Sequence, residues 1–350
     1  MQMDLIFFLV LIIAGFFTVF FSSAFFLFRH YFARKSNFFS YVKDIGGFRD
    51  FDSHEFSLGK LAPDITPDVE PEELSVSGSR GTLLKADYFK GTGNCMVVLV
   101  PGYADSIKTL YAPAADYLKR GFYVVIVYPQ GVGKSEGKYC ALPNVDAKDL
   151  ISWLEYLHKK FAGFYFVLHG FSFGAATVLQ SISSRKFYKA GLTDIVAAAV
   201  ADSAFTSLAA VFSDYYRHFA HKSLFQRFFF MQLSHYMSFV CFLSGKGFFC
   251  SISPHKKLKK RRPHEKRFKK TSFPVFFIHG KKDTICNCKM ATKIFEAAGG
   301  EKDGNKLEFY DECAHGGAFY NAPEKYMDAV FAFIESSKSR RRPSVGDSVQ

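Results

Sequence analysis

The sequence predicts an α/β fold in which a mostly parallel, eight-stranded sheet carries helices on both faces. Short apolar segments of strand length recur along the chain, and segments of helix length lie between them. This alternation is typical of parallel sheets, because the chain must cross over a face of the sheet between one parallel strand and the next. With 350 residues, of which 49% are hydrophobic, the chain is long enough to bury one large core.

Residues 5–28 are predicted to form an N-terminal transmembrane helix. The segment contains no charged residue. As a helix it would be about 36 Å long, which exceeds the roughly 30 Å hydrocarbon core of a bilayer. A cleaved signal peptide is the competing interpretation, but it requires a positively charged start, a shorter apolar stretch and a small-residue cleavage site. None of these is clear in the sequence, which favours an uncleaved single-pass anchor.

The charges beside this segment predict its orientation. Arg29, Arg34 and Lys35 follow the apolar residues, whereas only Asp4 and the amino terminus precede them. Because positively charged flanks favour the cytoplasmic side of a membrane, we expect the rest of the chain to lie in the cytoplasm. Residues 29–72, which end in a stretch rich in prolines and acids, are predicted to be a linker.

One domain is predicted over residues 73–335. A hairpin signal, Gly-Ser-Arg-Gly at residues 78–81, joins its first two strands. The eight predicted strands lie at residues 73–76, 82–89, 96–100, 123–128, 164–168, 195–200, 275–278 and 307–310. Helices are predicted among them at residues 112–119, 145–158 and 326–334.

A serine flanked by glycines follows the fifth predicted strand. The apolar run at residues 164–168 leads into His169, and Gly-Phe-Ser-Phe-Gly then occupies residues 170–174. A serine on so sharp a turn has strained backbone geometry. The residues two before and two after it must lack side chains, so that strand and helix can approach each other. Small residues suited to a helix follow, and this strand–turn–helix context predicts that Ser172 is a nucleophile.

A serine nucleophile needs a positioned base, usually a histidine that is held by a carboxylate. The expected order along the chain is serine, acid, histidine, with the acid and the histidine in loops that follow strands. Asp283 follows the seventh predicted strand and His315 follows the eighth. We predict that Asp283 orients His315 and that His315 takes the proton of Ser172. Asp202, just past the sixth strand, is the alternative acid.

Catalysis also needs backbone N–H groups that point at the developing oxyanion. Phe173, directly after the nucleophile, is predicted to supply one of them. The second is expected from the loop after the third strand, where Gly102 permits a tight turn and Tyr103 supplies the N–H group.

Together these residues resemble the α/β-hydrolase superfamily, and in particular the bacterial membrane-anchored serine hydrolases of the serine aminopeptidase and monoacylglycerol lipase-like group. Three further stretches are similar to that group: Pro-Gln-Gly-Val-Gly-Lys-Ser-Glu-Gly at residues 129–137, Asp-Ser-Ala-Phe-Thr-Ser at 202–207 and Ile-His-Gly-Lys-Lys-Asp at 278–283. The resemblance implies an α/β-hydrolase fold with a helical cap insertion, an acyl-enzyme mechanism and no metal or organic cofactor.

Three positions depart from the pattern of the family. Pro101 stands where the family usually has histidine, Gln130 replaces an arginine, and Cys286 lies in a stretch that usually carries Val-Pro. The first departure bears on the hydrogen bonding of the loop that carries Tyr103.

Residues 205–270 are predicted to form the cap insertion, which ends in a basic strip. Phe, Tyr, Met and Leu dominate residues 205–249, where these hydrolases place a cap over the active site. An apolar cap suggests an acyl or lipid-like substrate. Helices packed on the sheet would explain the same composition in a chain that contains 43 Phe, so both interpretations stay open.

The net charge of +13 is concentrated in the basic strip, because residues 255–270 contain ten Lys or Arg and one Glu. Residues 336–350 are also basic and are predicted to be a disordered tail. The body of the chain is nearly neutral, which excludes a basic groove for nucleic acid. The strip either contacts an anionic membrane surface or forms a solvated loop.

Two other patterns predict neither a metal nor a nucleotide. Cys286-x-Cys288 lacks the second pair of ligands that a zinc site requires, and the seven scattered cysteines favour a reducing compartment without a disulfide framework. Gly-Val-Gly-Lys-Ser at residues 131–135 is similar to a phosphate loop, but Tyr128 occupies a position where that motif needs glycine.

We therefore expect a membrane-anchored serine hydrolase that cleaves a carboxylic ester, with a small-molecule ester or acyl substrate. The alternative among enzymes is a serine aminopeptidase, which would need acidic groups to hold a substrate amine. The alternative outside enzymes is a hydrolase-like module for interactions at a membrane, which an incomplete triad would favour.

Overall fold

A computed structural model of the chain describes residues 2–32, 67, 69–103, 106–138, 140–207, 210, 211, 214 and 274–339. Within these residues one sheet has the strand order β1-β2-β4-β3-β5-β6-β7-β8. The strands are β1 Glu72–Ser77, β2 Leu83–Phe89, β3 Cys95–Val100, β4 Tyr123–Val127, β5 Tyr165–Phe171, β6 Val196–Asp202, β7 Val275–Gly280 and β8 Lys306–Tyr310. β2 pairs with β1 and β4 in the antiparallel sense, and the other neighbours are parallel. The predicted mostly parallel, eight-stranded sheet is confirmed.

The strand before the nucleophile is longer than the sequence predicts. We expect it to end at residue 168, but β5 stays paired with β6 as far as Phe171, opposite Asp202. His169 fits into this strand because its ring is fully buried and hydrogen-bonded on both sides, to Tyr117 and Tyr326. The sharp turn therefore begins directly after the strand ends.

Helices cover both faces of the sheet. Within the described residues the helices of this domain are α2 Tyr111–Lys119, α3 Pro143–Lys160, α4 Phe173–Ile182, α5 Arg185–Lys189, α6 Lys289–Ala298, α7 Ala318–Asn321 and α8 Pro323–Ser339, and α1 Gln2–Phe32 precedes the domain. The three predicted helices of the domain coincide with α2, α3 and α8. α6 is not among the helices predicted from the sequence. It buries only Met290, Ala291 and Ile294 and therefore has a narrow apolar stripe.

The sheet separates two apolar cores, one on each face. Met96 of β3 belongs to the core that contains Trp153 of α3, whereas the next residue, Val97, belongs to the core that contains Tyr117 of α2. All four side chains are at most 1% exposed. Because the central parallel strands are covered on both faces, their ends are rigid supports for the loops that follow them.

The N-terminal segment is helical, but the prediction of a membrane span is not supported. α1 extends from Gln2 to Phe32. Among the residues that the structure describes, no helix combines the length and the apolar character needed to cross a bilayer. The transmembrane assignment of residues 5–28 is corrected accordingly, and the cytoplasmic orientation stays a prediction.

Several predicted segments lie mostly outside the described residues. They are the linker at residues 29–72, the cap insertion and basic strip at residues 205–270, and the tail at residues 336–350. The predicted contact of the basic strip with a membrane surface accordingly stays a prediction.

Candidate active site

The turn that carries Ser172 depends on glycine at two positions. Ser172 lies between β5 and α4 with φ 53° and ψ −109°, a conformation that residues other than glycine rarely adopt. A Cβ on Gly170 would lie 2.3 Å from the carbonyl oxygen of Gly174, and a Cβ on Gly174 would lie 2.0 Å from the carbonyl oxygen of Val100. Strand and helix approach this closely only because both residues lack side chains. The strained turn predicted from the sequence is present.

The side chains of Ser172, His315 and Asp283 are hydrogen-bonded in series. His315 Nε2 lies 2.8 Å from Ser172 Oγ, and His315 Nδ1 lies 2.8 Å from Asp283 Oδ2. The three residues follow β5, β8 and β7, so the sheet brings together side chains that are up to 143 positions apart. This arrangement suits removal of the serine proton by a general base.

Asp283 is held in place by the backbone of its own loop. Its Oδ1 accepts the N–H groups of Ile285 and Cys286, at 2.9 and 2.7 Å. Its Oδ2, which faces His315, also lies 3.0 Å from Nε2 of the buried His279. Sequence reasoning did not place His279 at the site, and the only signal for it is its position four residues before Asp283 at the end of β7.

The charges of Asp283 and His315 stabilise each other. Burial raises the pKa of the Asp283 carboxyl, but the charge of His315 and the hydrogen bonds from His279 and His315 outweigh burial and hold that pKa well below its usual range. Burial lowers the pKa of His315, but the neighbouring Asp283 and Cys286 outweigh burial and raise that pKa well above its usual value. Asp283 is therefore an anion at neutral pH, and it favours the imidazolium form of His315.

We expect kcat/KM for an ester to rise with pH, with a midpoint above the usual histidine pKa of about 6.5. Only neutral His315 can accept the proton of Ser172, and Asp283 raises the pKa of that imidazole, so activity is lost as the pH falls through the raised pKa. A pH profile of kcat/KM with a p-nitrophenyl ester measures this midpoint in the free enzyme. A midpoint at or below the usual value would contradict an ionised Asp283 beside the base.

The two residues predicted to donate to the oxyanion lie next to each other beside Ser172. Phe173 is the first residue of α4, where backbone N–H groups have no partner within the helix. Tyr103 follows β3, and its ring centroid lies 5.1 Å from that of Phe173. The close contact at Gly174 brings the start of α4 against the end of β3. Donation by the two N–H groups stays a prediction.

The alternative acid, Asp202, faces a different set of groups. Its carboxylate is fully buried and accepts hydrogen bonds from Ser203 Oγ at 2.8 Å and from Tyr326 OH at 2.9 Å. His315 Nδ1 is instead paired with Asp283. The geometry therefore favours Asp283 as the partner of His315 and leaves Asp202 in a separate buried network.

Within the part of the chain that the structure describes, one group of side chains could ligate a metal ion. It consists of Asp283, Cys286 and His315, whose ligand atoms all lie within 4.8 Å of one another. Burial raises the pKa of the Cys286 thiol to about 11. A metal ion would have to displace the proton of that thiol in order to bind the sulfur. Asp283 and His315 are moreover hydrogen-bonded to each other.

Comparison with known proteins agrees with this geometry at the level of the fold. The model of the family described as serine aminopeptidase, S33, matches residues 93–240, which include Ser172 but neither Asp283 nor His315. The match covers less than half of the chain. None of the curated proteins matches the sequence.

Solved structures with a similar fold include one esterase and two peptidases. An esterase of Pyrococcus furiosus has a TM-score of 0.57 at 19% identity, over 78% of this chain and 96% of its own. A puromycin-hydrolyzing peptidase of Mycobacterium tuberculosis has a TM-score of 0.55 at 17% identity, over 79% of this chain and 40% of its own. An acylaminoacyl peptidase of Pyrococcus horikoshii has a TM-score of 0.51 at 14% identity, over 80% of this chain and 43% of its own. Proteins named for ester cleavage and for amide cleavage thus share this fold.

Proposed function

We propose that this chain, whose fold is shared by an esterase and two peptidases, is a serine hydrolase that cleaves a carboxylic ester through an acyl-enzyme. The observation that carries the proposal is the unbroken series of hydrogen bonds from Ser172 through His315 to Asp283, with both distances at 2.8 Å. A hydroxyl that is hydrogen-bonded to an imidazole, which is in turn held by a buried carboxylate, is the arrangement that activates a serine.

In the first half of the reaction, Ser172 Oγ attacks the carbonyl carbon while His315 Nε2 takes the hydroxyl proton. Asp283 stabilises the imidazolium that forms, and its bond to Nδ1 keeps Nε2 available as the base. The N–H groups of Tyr103 and Phe173 are proposed to donate to the oxyanion, and each such donor contributes about 3 kcal/mol. His315 then gives the proton to the leaving alcohol, and the acyl group stays on Ser172.

In the second half, water occupies the place of the alcohol. His315 Nε2 takes a proton from the water, the resulting hydroxide attacks the acyl carbon, and a second tetrahedral intermediate forms. Its collapse returns the proton from His315 to Ser172 Oγ and releases the carboxylic acid. The free side chains are regenerated, so the residues at the site account for every proton in the cycle.

Aromatic side chains beside the nucleophile support an apolar acyl group. The ring centroids of Tyr103 and Phe173 are 5.1 Å apart, and those of Phe173 and Phe205 are 5.4 Å apart. Phe205 is buried, whereas Tyr103 and Phe173 are partly exposed. The rings of Tyr103 and Phe173 therefore offer an apolar surface next to Ser172, which favours binding of hydrocarbon over binding of a charged amine. This supports an acyl or lipid-like substrate, which is one of the two interpretations that the composition of the cap leaves open.

A serine aminopeptidase is the second candidate function. It is favoured by the family model that matches residues 93–240 and by the two peptidases of similar fold. A non-enzymatic module is the third, and it is disfavoured because the series of hydrogen bonds is complete.

A substrate panel tests the proposal. We expect p-nitrophenyl esters to be hydrolysed with a kcat/KM that rises from acetyl to longer acyl chains, because longer chains bury more surface on the aromatic rings. Aminoacyl p-nitroanilides should be cleaved much more slowly, and Ser172→Ala supplies the blank for both series. Preference for anilides with a free amine would instead establish the aminopeptidase, and failure of the folded protein to cleave either series would favour the non-enzymatic module.

A further inference from the structure

Ser203 shares an unusual backbone feature with the nucleophile. Among the residues that the structure describes, Ser172 at φ 53° and Ser203 at φ 55° are the non-glycine residues with positive φ. Such a conformation is uncommon for serine and persists where the surroundings enforce it. Glycine would adopt the same backbone without strain, so the presence of serine calls for a role of its hydroxyl.

We infer that Ser203 is a positioning residue, which fixes the loop of His315 relative to the nucleophile through its hydroxyl. The inference rests on the proposed function of Ser172, His315 and Asp283. Ser203 Oγ accepts the backbone N–H of Gly316 at 3.0 Å and donates to Asp202 Oδ1 at 2.8 Å. Gly316 directly follows His315, so this bond holds the backbone next to the residue that carries the base.

The backbone of residues 202 and 203 connects the same pair of elements. Ser172 N–H donates to the carbonyl oxygen of Asp202 at 2.8 Å, and Ser203 N–H donates to the carbonyl oxygen of Ile278 at 2.9 Å. The end of β6 is therefore bonded to the nucleophile turn, to β7 and to the loop of His315. Ser203 is the point at which this connection reaches the base.

A buried series of hydrogen bonds holds Asp202 from the other side. Tyr326 OH donates to Asp202 Oδ2 at 2.9 Å, so the Tyr326 oxygen must accept from His169 Nε2, which lies 2.9 Å away. His169 Nδ1 must then accept from Tyr117 OH at 3.0 Å. Burial lowers the pKa of His169 to about 3, which keeps the ring neutral, as this pattern requires.

All donors in this series point towards Asp202, and its carboxylate is the terminal acceptor. Burial raises the pKa of Asp202, whereas the hydrogen bonds from Ser203 and Tyr326 and the charges of His279 and His315 lower it. Asp202 thereby receives a donor on each oxygen and orients the Ser203 hydroxyl so that its lone pair faces the N–H of Gly316. Ser203 touches neither the substrate nor a reacting atom, and it acts through the position of His315.

Replacement of Ser203 by glycine separates this role from a structural one. The variant Ser203→Gly allows the same backbone conformation and removes the hydroxyl together with its Cβ. Relief of backbone strain offsets the higher entropy of the unfolded chain. The lost hydroxyl leaves the N–H of Gly316 and one oxygen of Asp202 without this partner, so we expect the protein to fold with a melting temperature lower by a few degrees. Displacement of a catalytic group by about 1 Å lowers a rate by about 100-fold. We therefore expect kcat to fall by about 10- to 100-fold with KM nearly unchanged.

Ser181→Ala is the matched control, because Ser181 is also fully buried and its hydroxyl donates to Ala147 O at 3.1 Å within the packing of α3 and α4. This variant should keep its kcat within about twofold, since it lies outside the site. Full-length wild type and both variants are compared with a p-nitrophenyl ester and by thermal unfolding. A kcat for Ser203→Gly equal to that of the control would overturn the inference.

A proton NMR measurement tests the positioning role of Ser203 without relying on turnover. The Nδ1–H proton of His315, which is shared with Asp283 at 2.8 Å, is expected to give a downfield signal in the wild type and in Ser181→Ala. In Ser203→Gly the signal should shift and exchange faster with water. An unchanged signal in Ser203→Gly would refute the positioning role, whether or not the wild type cleaves an ester. A wild type that is inactive on every ester would count against the proposed function alone.

Discussion

Replacement of Ser172 by alanine is expected to lower kcat/KM for an ester by about 10⁵-fold, because the change removes the only atom proposed to form the acyl-enzyme. His315 keeps its bond to Asp283 in this variant, but it has no hydroxyl to activate. The small rate that remains would come from water attacking a bound substrate. Initial rates with a p-nitrophenyl ester at high enzyme concentration measure the effect.

The fold is expected to survive this substitution. Alanine occupies less space than serine, and the strain at φ 53° is the same for both residues. Thermal unfolding should therefore give nearly the same melting temperature for both proteins. If folded Ser172→Ala kept more than a tenth of the wild-type rate, the nucleophile would be another residue.

Asp283→Asn is expected to lower kcat by about 10⁴-fold, because the histidine is then held in the wrong tautomer. The N–H groups of Ile285 and Cys286 both require an acceptor at the position of Oδ1. They therefore keep the amide oxygen there and turn the amide NH₂ towards His315 Nδ1. That nitrogen must then accept a hydrogen bond, which places the ring proton on Nε2, where it can no longer take the proton of Ser172.

Asp311→Asn is a suitable control for this second variant. Asp311 begins the loop after β8, which carries His315, and pairs with Lys281 at 2.5 Å, but its side chain is 72% exposed. Exposed ion pairs contribute little, so its kcat should stay close to that of the wild type. Equal rates for Asp283→Asn and Asp311→Asn would exclude Asp283 as the acid that orients His315.

The sheet and the order of the three site residues could be predicted because each depends on local sequence. Apolar runs bounded by turn residues mark the eight strands, and glycines two positions either side of Ser172 mark the turn. Asp283 and His315 could be proposed as partners of Ser172 because each stands in a loop directly after a predicted strand, which is where this fold places the acid and the histidine.

Contacts between distant parts of the chain could not be predicted in the same way. Ser203 meets Gly316 across 113 positions, and His169 meets Tyr326 across 157. No local pattern distinguishes a serine that bonds to a distant loop from one that ends a strand. Positive φ at Ser203 is likewise unexpected, since the sequence places no glycine there.

Short helices could not be predicted for a different reason. α5 has only five residues and α7 only four, which is too short for an apolar periodicity to develop. They form because the chain must turn between larger elements that are already held by the sheet.

The departure from the family pattern at Cys286 leaves the site intact, because Asp283 accepts a hydrogen bond from the backbone N–H of this residue and not from its side chain.

Covalent labelling by a fluorophosphonate shows whether Ser172 is an activated nucleophile. An activated serine oxygen attacks the phosphorus of the reagent and displaces fluoride. Labelling therefore reports on the Ser172–His315–Asp283 arrangement without knowledge of the substrate. We predict one labelled peptide, the one that contains Ser172, and loss of that label in Ser172→Ala. If the folded wild-type protein stayed unlabelled, or carried the label on another serine, Ser172 would not be the activated nucleophile.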